Sequence, residues 1–276
     1  MDIDAYLERI GLSERPRATL AGLTALHRAH LRAVPYENLE VQLGRPVTIE
    51  RPAIFEKIVG RRRGGWCYEM NGIFGWALGE LGFCVRRATG AVGSAGDHLV
   101  LRVELTEKGG EGLFLADVGV CTGPLDPIPV REGGFSAGGF TYRVEPLEEG
   151  RWRFHNDPLA FPPTFEFDLE AADESLLEGR CAELQTDPAS HFVQNLMCAR
   201  FVEGGMILLL GRTLLTITPS GRSDRLIESE EEFAQVLAER LGLDVPEARG
   251  LWPKLCVRHE EVLAERAKKA GLAAAE

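Results

Sequence analysis

The chain has 276 residues with 45% hydrophobic and 26% charged side chains and a formal net charge of −11. That length supports a large buried core split into two or three subdomains, and the negative charge argues against a nucleic-acid backbone as partner while leaving room for a local basic patch toward a phosphorylated cofactor. Six scattered cysteines with no C-x-x-C pair give neither a zinc signature nor a compact disulfide framework, so reduced thiols, no metal and a cytosolic setting are the simpler reading.

The N-terminus, Met1-Asp2-Ile3-Asp4-Ala5-Tyr6-Leu7, is acidic and mixed rather than basic and then apolar, unlike a signal peptide. The longest apolar runs, such as 206–210, are too short to cross a bilayer. A soluble cytoplasmic protein without a membrane partner is expected. Helical periodicity covers residues 4–10, ended by Gly11, and residues 20–34, stopped by Pro35, with residues 34–41 reading as an extended connection. The stretch Arg63-Gly64-Gly65-Trp66-Cys67-Tyr68-Glu69-Met70-Asn71 follows, and Ile73, Phe74, Ala77, Leu78 and Leu81 then recur as the stripe of a buried helix that closes at Gly82.

Cys67 therefore falls in or just before the first turn of that helix, where unpaired N–H groups and the positive dipole end stabilise a thiolate. Arg61, Arg62 and Arg63 add positive charge upstream. The alternative is a buried core filler, the usual lot of a free cysteine. The other five lack this setting: Cys84, Cys181, Cys198 and Cys256 have apolar or helical surroundings, and Cys121 follows a strand in a glycine-bearing loop.

From Phe83 onward the signal changes to short strands. Residues 98–105 alternate, with Leu99, Leu101, Val103 and Leu105 on one face, and a glycine-rich turn at 108–112 leads to a second strand over 113–118. Further strands are expected near 140–144, 152–155 and 165–169, punctuated by glycine and proline as in a small barrel or curled sheet. A third part begins near Ser190, with a hairpin of 206–210 and 213–217. Ser229-Glu230-Glu231-Glu232 reads as a capping box opening an amphipathic helix through Phe233, Val236, Leu237 and Leu241. A charged, alanine-rich helix over 259–275, with an end expected to fray, closes the chain.

A cysteine nucleophile needs a base, and the base needs an orienting partner. Among six histidines, His98 opens the alternating strand directly after a glycine-bearing loop, and Asp117 lies near the end of the next strand. A carboxylate in so apolar a run is costly to bury unpaired. If the two strands pair, His98 and Asp117 stand about equally far from the turn and their side chains can meet. Each also has a plainer reading: a strand-end histidine bonded to backbone, and a turn-initiating aspartate before glycine. His30 is the second candidate base.

These residues resemble the arylamine N-acetyltransferase family. Residues 63–71 are similar to its Arg-Gly-Gly-x-Cys signature, Pro35-Tyr36-Glu37-Asn38-Leu39 to its Pro-Phe-Glu-Asn-Leu segment, and His98-Leu99-Val100-Leu101 and Asp117-Val118-Gly119 to the segments carrying its histidine and aspartate. The similarity continues through His191-Phe192 and Arg212-Thr213-Leu214-Leu215. The resemblance implies an α+β, cysteine-protease-like fold in three parts: a helical bundle over 1–82 carrying the cysteine, an antiparallel β-barrel over 83–189 carrying the histidine and aspartate, and an α/β lid over 190–276. It implies ping-pong transfer of an acetyl group from acetyl-CoA to an arylamine, arylhydrazine or N-hydroxyarylamine. Cys67 would be acetylated, His98 would be its base and Asp117 the orienting carboxylate.

The chain departs from that pattern after Asp117. Where the family has Asp-Val-Gly-Phe-Gly, this sequence reads Asp117-Val118-Gly119-Val120-Cys121-Thr122-Gly123. An aromatic expected in the acceptor pocket is absent. A loop expected near the CoA pyrophosphate, with Gly119, Val120, Thr122 and Gly123 as the candidate contacts, gains a side chain. An amide synthase or acyltransferase using another acyl thioester, or a cysteine hydrolase, shares the triad and stands as the alternative.

Overall fold

Short-range capping sets the first helices. Asp2 accepts the Asp4 N–H (2.9 Å) to start α1 (Ile3–Arg9), and Thr19 accepts from Gly22 (3.3 Å) to start α2 (Leu20–Ala33). Gly11, at φ +78°, ends the first as the sequence suggested. The structure is a computed structural model and describes residues 1–106 and 111–273.

The connection after α2 is extended only at β1 (Tyr36–Glu37). The buried Glu37 carboxylate then accepts the Leu39 N–H (2.7 Å) and begins a helical turn, α3 (Leu39–Gln42), where extended chain was expected. A side chain tied to the backbone two residues on offers the chain a turn that apolar alternation cannot announce. Next come α4 (Arg51–Phe55), which runs into a π-type turn at Glu56–Gly60, and α5 (Cys67–Glu80).

An eight-stranded antiparallel sheet follows: β2 (Cys84–Ala91), β3 (His98–Leu105), β4 (Gly112–Leu115), β5 (Ile128–Pro129), β6 (Gly133–Ala137), β7 (Phe140–Pro146), β8 (Trp152–His155) and β9 (Thr164–Phe167). Its spatial order is β5-β4-β3-β2-β9-β8-β7-β6. The two outermost strands, β5 and β6, are consecutive in the chain, so the sheet must curl until its edges nearly meet, as in a barrel. The β3–β4 hairpin forms as expected, with Arg102 opposite Leu115 and Leu105 opposite Gly112. Its expected turn at 108–112 lies, up to residue 110, outside the described residues. β4 ends at Leu115 rather than Val118; the Ala116 N–H still donates to Leu101 O (2.9 Å), and residues 117–119 lie outside the strand. After β9 comes α6 (Glu174–Thr186), which the sequence reading did not identify.

The third part holds α7 (His191–Gln194), β10 (Met197–Val202), β11 (Gly205–Leu210), β12 (Thr213–Thr218), β13 (Gly221–Leu226), α8 (Glu230–Gln235) and α9 (Trp252–Ala273). Its sheet order is β1-β10-β11-β12-β13. Period-two alternation divides these strands between two cores. Leu196, Cys198, Ile207 and Leu209 pack with Phe233, Leu237 and Leu251 under α8 and α9, while Met197, Ala199, Met206 and Leu208 join the main core.

The capping box at Ser229 is only half formed. Ser229 accepts the Glu232 N–H (3.1 Å), but the Glu232 carboxylate turns to the Glu228 N–H (2.8 Å), because it also pairs with Arg225. The last helix starts at Trp252, seven residues before the expected 259, since Leu251, Trp252 and Leu255 pack into the second core. The fraying expected at 274–275 lies outside the described residues. Among the described residues, no helix is long and apolar enough to cross a membrane.

β1 belongs to the helical region by sequence yet pairs with β10, Tyr36 opposite Ala199 and Glu37 opposite Cys198. Asn38 reinforces the junction. Its amide donates to the Phe192 and Asn195 carbonyls (2.9 and 2.8 Å) and accepts the Met197 N–H (2.8 Å).

Candidate active site

Cys67 is the first residue of α5 and is 2% exposed. The two glycines before it are required by close approach: a Cβ on Gly64 would lie 1.9 Å from the Pro35 carbonyl oxygen, and one on Gly65 would meet Glu69 Cβ at 2.7 Å. The Glu37 N–H donates to the Gly65 carbonyl (2.9 Å) and the Gly65 N–H to Pro35 (3.3 Å). Segments 35–39 and 63–67, separate in sequence, are thus one structural unit.

Arg63 binds that unit together, donating to Glu37 Oε1 (2.8 Å from Nη2) and Glu40 Oε1 (3.0 Å). Arg61 lies 3.7 Å from Glu40, and Arg62 is exposed with φ 52°. The basic flank expected to favour a thiolate at Cys67 is therefore not aimed at it; Arg63 is compensated by carboxylates from an earlier segment. Lys57 is buried beside them, 2.8 Å from both oxygens of Glu69 and 3.9 Å from Glu37.

His98, the first residue of β3, places Nε2 2.6 Å from Asp117 Oδ2, both side chains being buried. Continuing the hairpin register sets residue 98 opposite residue 119, so Asp117 is a diagonal neighbour on the same face. Asp117 Oδ1 accepts from Asn71 Nδ2 (2.7 Å) and the Gly119 N–H (2.8 Å). Asn71 also donates to Leu99 O (2.6 Å) and accepts the Val118 N–H (2.9 Å). Asn71, which closes the segment 63–71, is a member of this network that local sequence pattern does not single out as functional. Its signal was there: it stands four residues after Cys67, on the same helical face.

With Nε2 committed to Asp117, the other ring nitrogen of His98 is the one left to face Cys67, and both residues line the same cleft. The Cys67 Sγ also lies 3.9 Å from the Asp97 carbonyl oxygen, and Phe165 packs edge-on against the His98 ring at 5.1 Å. Burial pulls the His98 pKa down, but the charge and hydrogen bond of Asp117, with Cys67, outweigh it and hold His98 well above its ordinary value. Burial raises Asp117, and His98, Asn71 and the Gly119 N–H bring it below its ordinary value.

Asp117's contribution to stability is full above 3.8, the ordinary value, and is lost as pH falls through its lowered folded value. That of His98 is full below 6.5 and is lost as pH rises through its raised folded value. Both are whole between these two limits. The His98 ring is accordingly expected to remain protonated at neutral pH, read from its ring-nitrogen NMR shifts. A ring titrating near its ordinary value would contradict the pairing.

His30, the second candidate base, is not brought to Cys67. It is fully buried, its Nδ1 lies 2.8 Å from the Tyr6 hydroxyl, and burial lowers its pKa well below the ordinary value. His27 ties α2 to the far end of the loop after Asp117, through Nδ1 to Leu125 O (2.9 Å).

A cleft of about 250 Å³ opens over Cys67 and His98. Tyr36, Val92, Val120, Cys121, Phe161 and Phe192 form much of its wall. Gly119 must be a glycine, since a Cβ there would sit 2.8 Å from Cys67 Cα and 2.6 Å from Asn71 Nδ2. Thr122 and Gly123 are not part of the wall. The Thr122 N–H and hydroxyl both donate to Phe161 O (3.2 and 2.8 Å), and the Gly123 N–H goes to Val120 O (3.4 Å). Burial pushes the Cys121 thiol up in pKa. Limited iodoacetamide treatment is expected to label Cys67 well before Cys121, read by peptide mass spectrometry; preferential labelling of Cys121 would overturn the choice of Cys67 as the activated thiol.

The N-acetyltransferase family profile matches residues 19–249. The chain is 34% identical to the arylamine N-acetyltransferase of Mycolicibacterium smegmatis, over 91% of this chain and 94% of that one. The chain belongs to the arylamine N-acetyltransferase family. It is 30% identical to human arylamine N-acetyltransferase 1, over 92% of this chain and 97% of that one. The Mycobacterium marinum arylamine N-acetyltransferase, solved in complex with CoA, superposes with a TM-score of 0.82 at 31% identity, over 93% of this chain and 98% of that one. As a family member the chain is an acyltransferase with the cysteine-protease-like fold of helices and a nearly closed barrel.

Proposed function

We propose that the chain carries an acetyl group from acetyl-CoA on Cys67 and delivers it to the nitrogen of an arylamine, arylhydrazine or N-hydroxyarylamine. The observation that carries this reading is the chain of contacts from Asp117 through His98 to the cleft wall at Cys67. The Cys67 thiolate, paired with the His98 imidazolium, attacks the thioester carbonyl; the C–S bond to CoA breaks and His98 gives its proton to the departing thiolate. The amine nitrogen then attacks the acetyl-cysteine and His98 accepts its proton. Cys67 leaves as thiolate, and the ion pair is restored. Asp117 fixes which ring nitrogen faces the sulfur and stabilises the imidazolium.

With this reading goes a division of labour: residues 1–82 supply the thiol, 83–189 the base and its partner, and 190–276 the far wall. Val120 and Cys121 in the cleft wall favour a second reading in which a different acyl thioester is the better donor. Steady-state comparison of several acyl-CoAs separates the two. For the first, incubation with acetyl-CoA is expected to leave an acetyl adduct on Cys67 that an arylamine discharges, and Cys67→Ser is expected to abolish both adduct and turnover while remaining folded. Turnover unchanged in Cys67→Ser would refute the assignment.

A further inference from the structure

Two buried imidazoles, His27 and His30, take no part in the proton transfers above. His30 stays among the first helices, bonded to Tyr6. His27 instead reaches the loop that carries Asp117. It is fully buried in α2, and its Nδ1 lies 2.9 Å from the carbonyl oxygen of Leu125, 98 residues further along the chain. A ring nitrogen facing a carbonyl must carry the proton, since the carbonyl only accepts. Burial lowers the His27 pKa below its ordinary value, and the Leu125 carbonyl and the charges of Asp117 and Asp126 offset this only in part. The neutral ring therefore spends its one proton on Leu125. Its Nε2 has no hydrogen-bond partner among the described residues.

Leu125 stands near the far end of the loop that Asp117 opens. At the near end Asn71 Oδ1 accepts the Val118 N–H (2.9 Å) and Asp117 Oδ1 the Gly119 N–H (2.8 Å). Thr122 pins the middle to Phe161. Two side chains of α2 tie the far end, His27 at Leu125 and Arg28 at Asp126 (2.7 Å from Nη2). The Arg28 pair is solvated, with side chains 46% and 20% exposed, and such pairs hold little. The His27 ring is shielded from solvent and packs edge-on against Phe74 at 5.8 Å. Phe74 belongs to α5, about two turns after Cys67. One side chain thus touches both the helix that carries Cys67 and the loop that carries Asp117.

We propose that His27 is a positioning residue for acetyl transfer: by holding Leu125 it keeps the loop seated against α5, with Asp117 in place on His98. This rests on the acetyl-carrier reading above. His27 acts through Asp117 rather than on substrate. A loosened loop leaves His98 less firmly charged and Cys67 less often a thiolate. The loss belongs in the rate of Cys67 acetylation at saturating donor, not in the affinity for acetyl-CoA.

The test places an amide N–H at one ring position or the other. In His27→Asn the side-chain nitrogen is as far from the backbone as Nδ1, and in His27→Gln as far as Nε2. Both variants and His27→Leu are compared with the wild type in single-turnover acetylation of Cys67, in its alkylation by iodoacetamide, and in urea unfolding. His27→Gln and His27→Leu are expected to acetylate about tenfold more slowly at saturating acetyl-CoA, the scale of one buried donor lost. Alkylation slows in step, and the half-saturating donor concentration moves by less than about twofold. His27→Asn is expected to stay within about threefold of the wild type in both reactions. Wild-type rates in His27→Gln overturn the proposal, as does an equal loss in His27→Asn and His27→Gln, which would leave only the bulk of the ring. A purely structural His27 would lower the urea midpoint and leave both rates alone. Should His27→Leu fail to fold, the two amide variants decide. If the wild type takes no acetyl group from acetyl-CoA, the donor reading fails, and the alkylation rates then decide on His27 by the same comparison.

Discussion

Asp117→Asn is expected to lower kcat/KM for acetyl transfer by about a thousand- to ten-thousandfold while the protein stays folded. Three N–H donors converge on this carboxylate, from His98, Asn71 and Gly119. A carboxylate has acceptors for all three, whereas an amide has one oxygen and brings an NH₂ group of its own. If the NH₂ faces His98, Nε2 must accept and the proton moves to the nitrogen facing Cys67. That imidazole cannot take a proton from the thiol or the amine. Circular dichroism and urea unfolding would establish that the variant is folded, and single-turnover acetylation would give the rate. A rate within tenfold of the wild type would remove Asp117 from the mechanism.

The largest effect on stability is expected from Lys57→Met, at about 3–5 kcal/mol. Burial works against the Lys57 ammonium, but Glu37 and Glu69 outweigh it and raise its pKa. Burial likewise raises Glu37, yet Lys57 and Arg63 leave it below its ordinary value. Glu69 stays above its ordinary value from burial even with Lys57 beside it. Without Lys57 it can escape an unpaired charge only by taking up a proton. Removing one partner of such a group costs more than never having built it. Urea unfolding measures the loss, and the double variant Lys57→Met/Glu69→Gln is expected to restore part of it. A loss below about 1 kcal/mol, the level of an exposed pair, would show the network to be incidental.

The parts of the site that could be read in the sequence were those announced by local pattern. Cys67 precedes an apolar stripe, and His98 opens a strand that is buried throughout 98–101 and alternates only from Arg102 to Leu105. Asp117 stood out because a carboxylate among Leu115, Ala116 and Val118 needs a partner. What could not be read was non-local. By sequence Arg63 is a positive charge beside Cys67, and nothing around it says that Glu37 and Glu40, more than twenty residues earlier, neutralise it. The loop expected to face a pyrophosphate carries suitable residues, but Thr122 spends its hydrogen bonds on Phe161 across the chain.

Missed elements share a weak apolar signature. In α6 only Leu177 and Cys181 are buried, so there is no stripe to detect. β2 begins with an exposed Cys84 and carries Arg86 and Arg87, and only Ala88 and Gly90 along it are fully buried. Such strands are fixed by their neighbours rather than by their own composition.

The pairing of β1 with β10, and the Asn38 side chain that spans the same junction, bear on how molecules come and go. A cover that swings needs a hinge with few bonds across it. Here main-chain pairing joins β1, which precedes the helix carrying Cys67, to β10 of the later sheet, so the two sides of the cleft are tied together by backbone hydrogen bonds. Val92 and Phe161, 46% and 42% exposed, are the lining residues of the cleft that reach furthest into solvent among its large hydrophobic side chains. On the acetyl-carrier reading proposed above, donor and acceptor both reach Cys67 through this cleft, whose walls include Tyr36, Phe161 and Phe192.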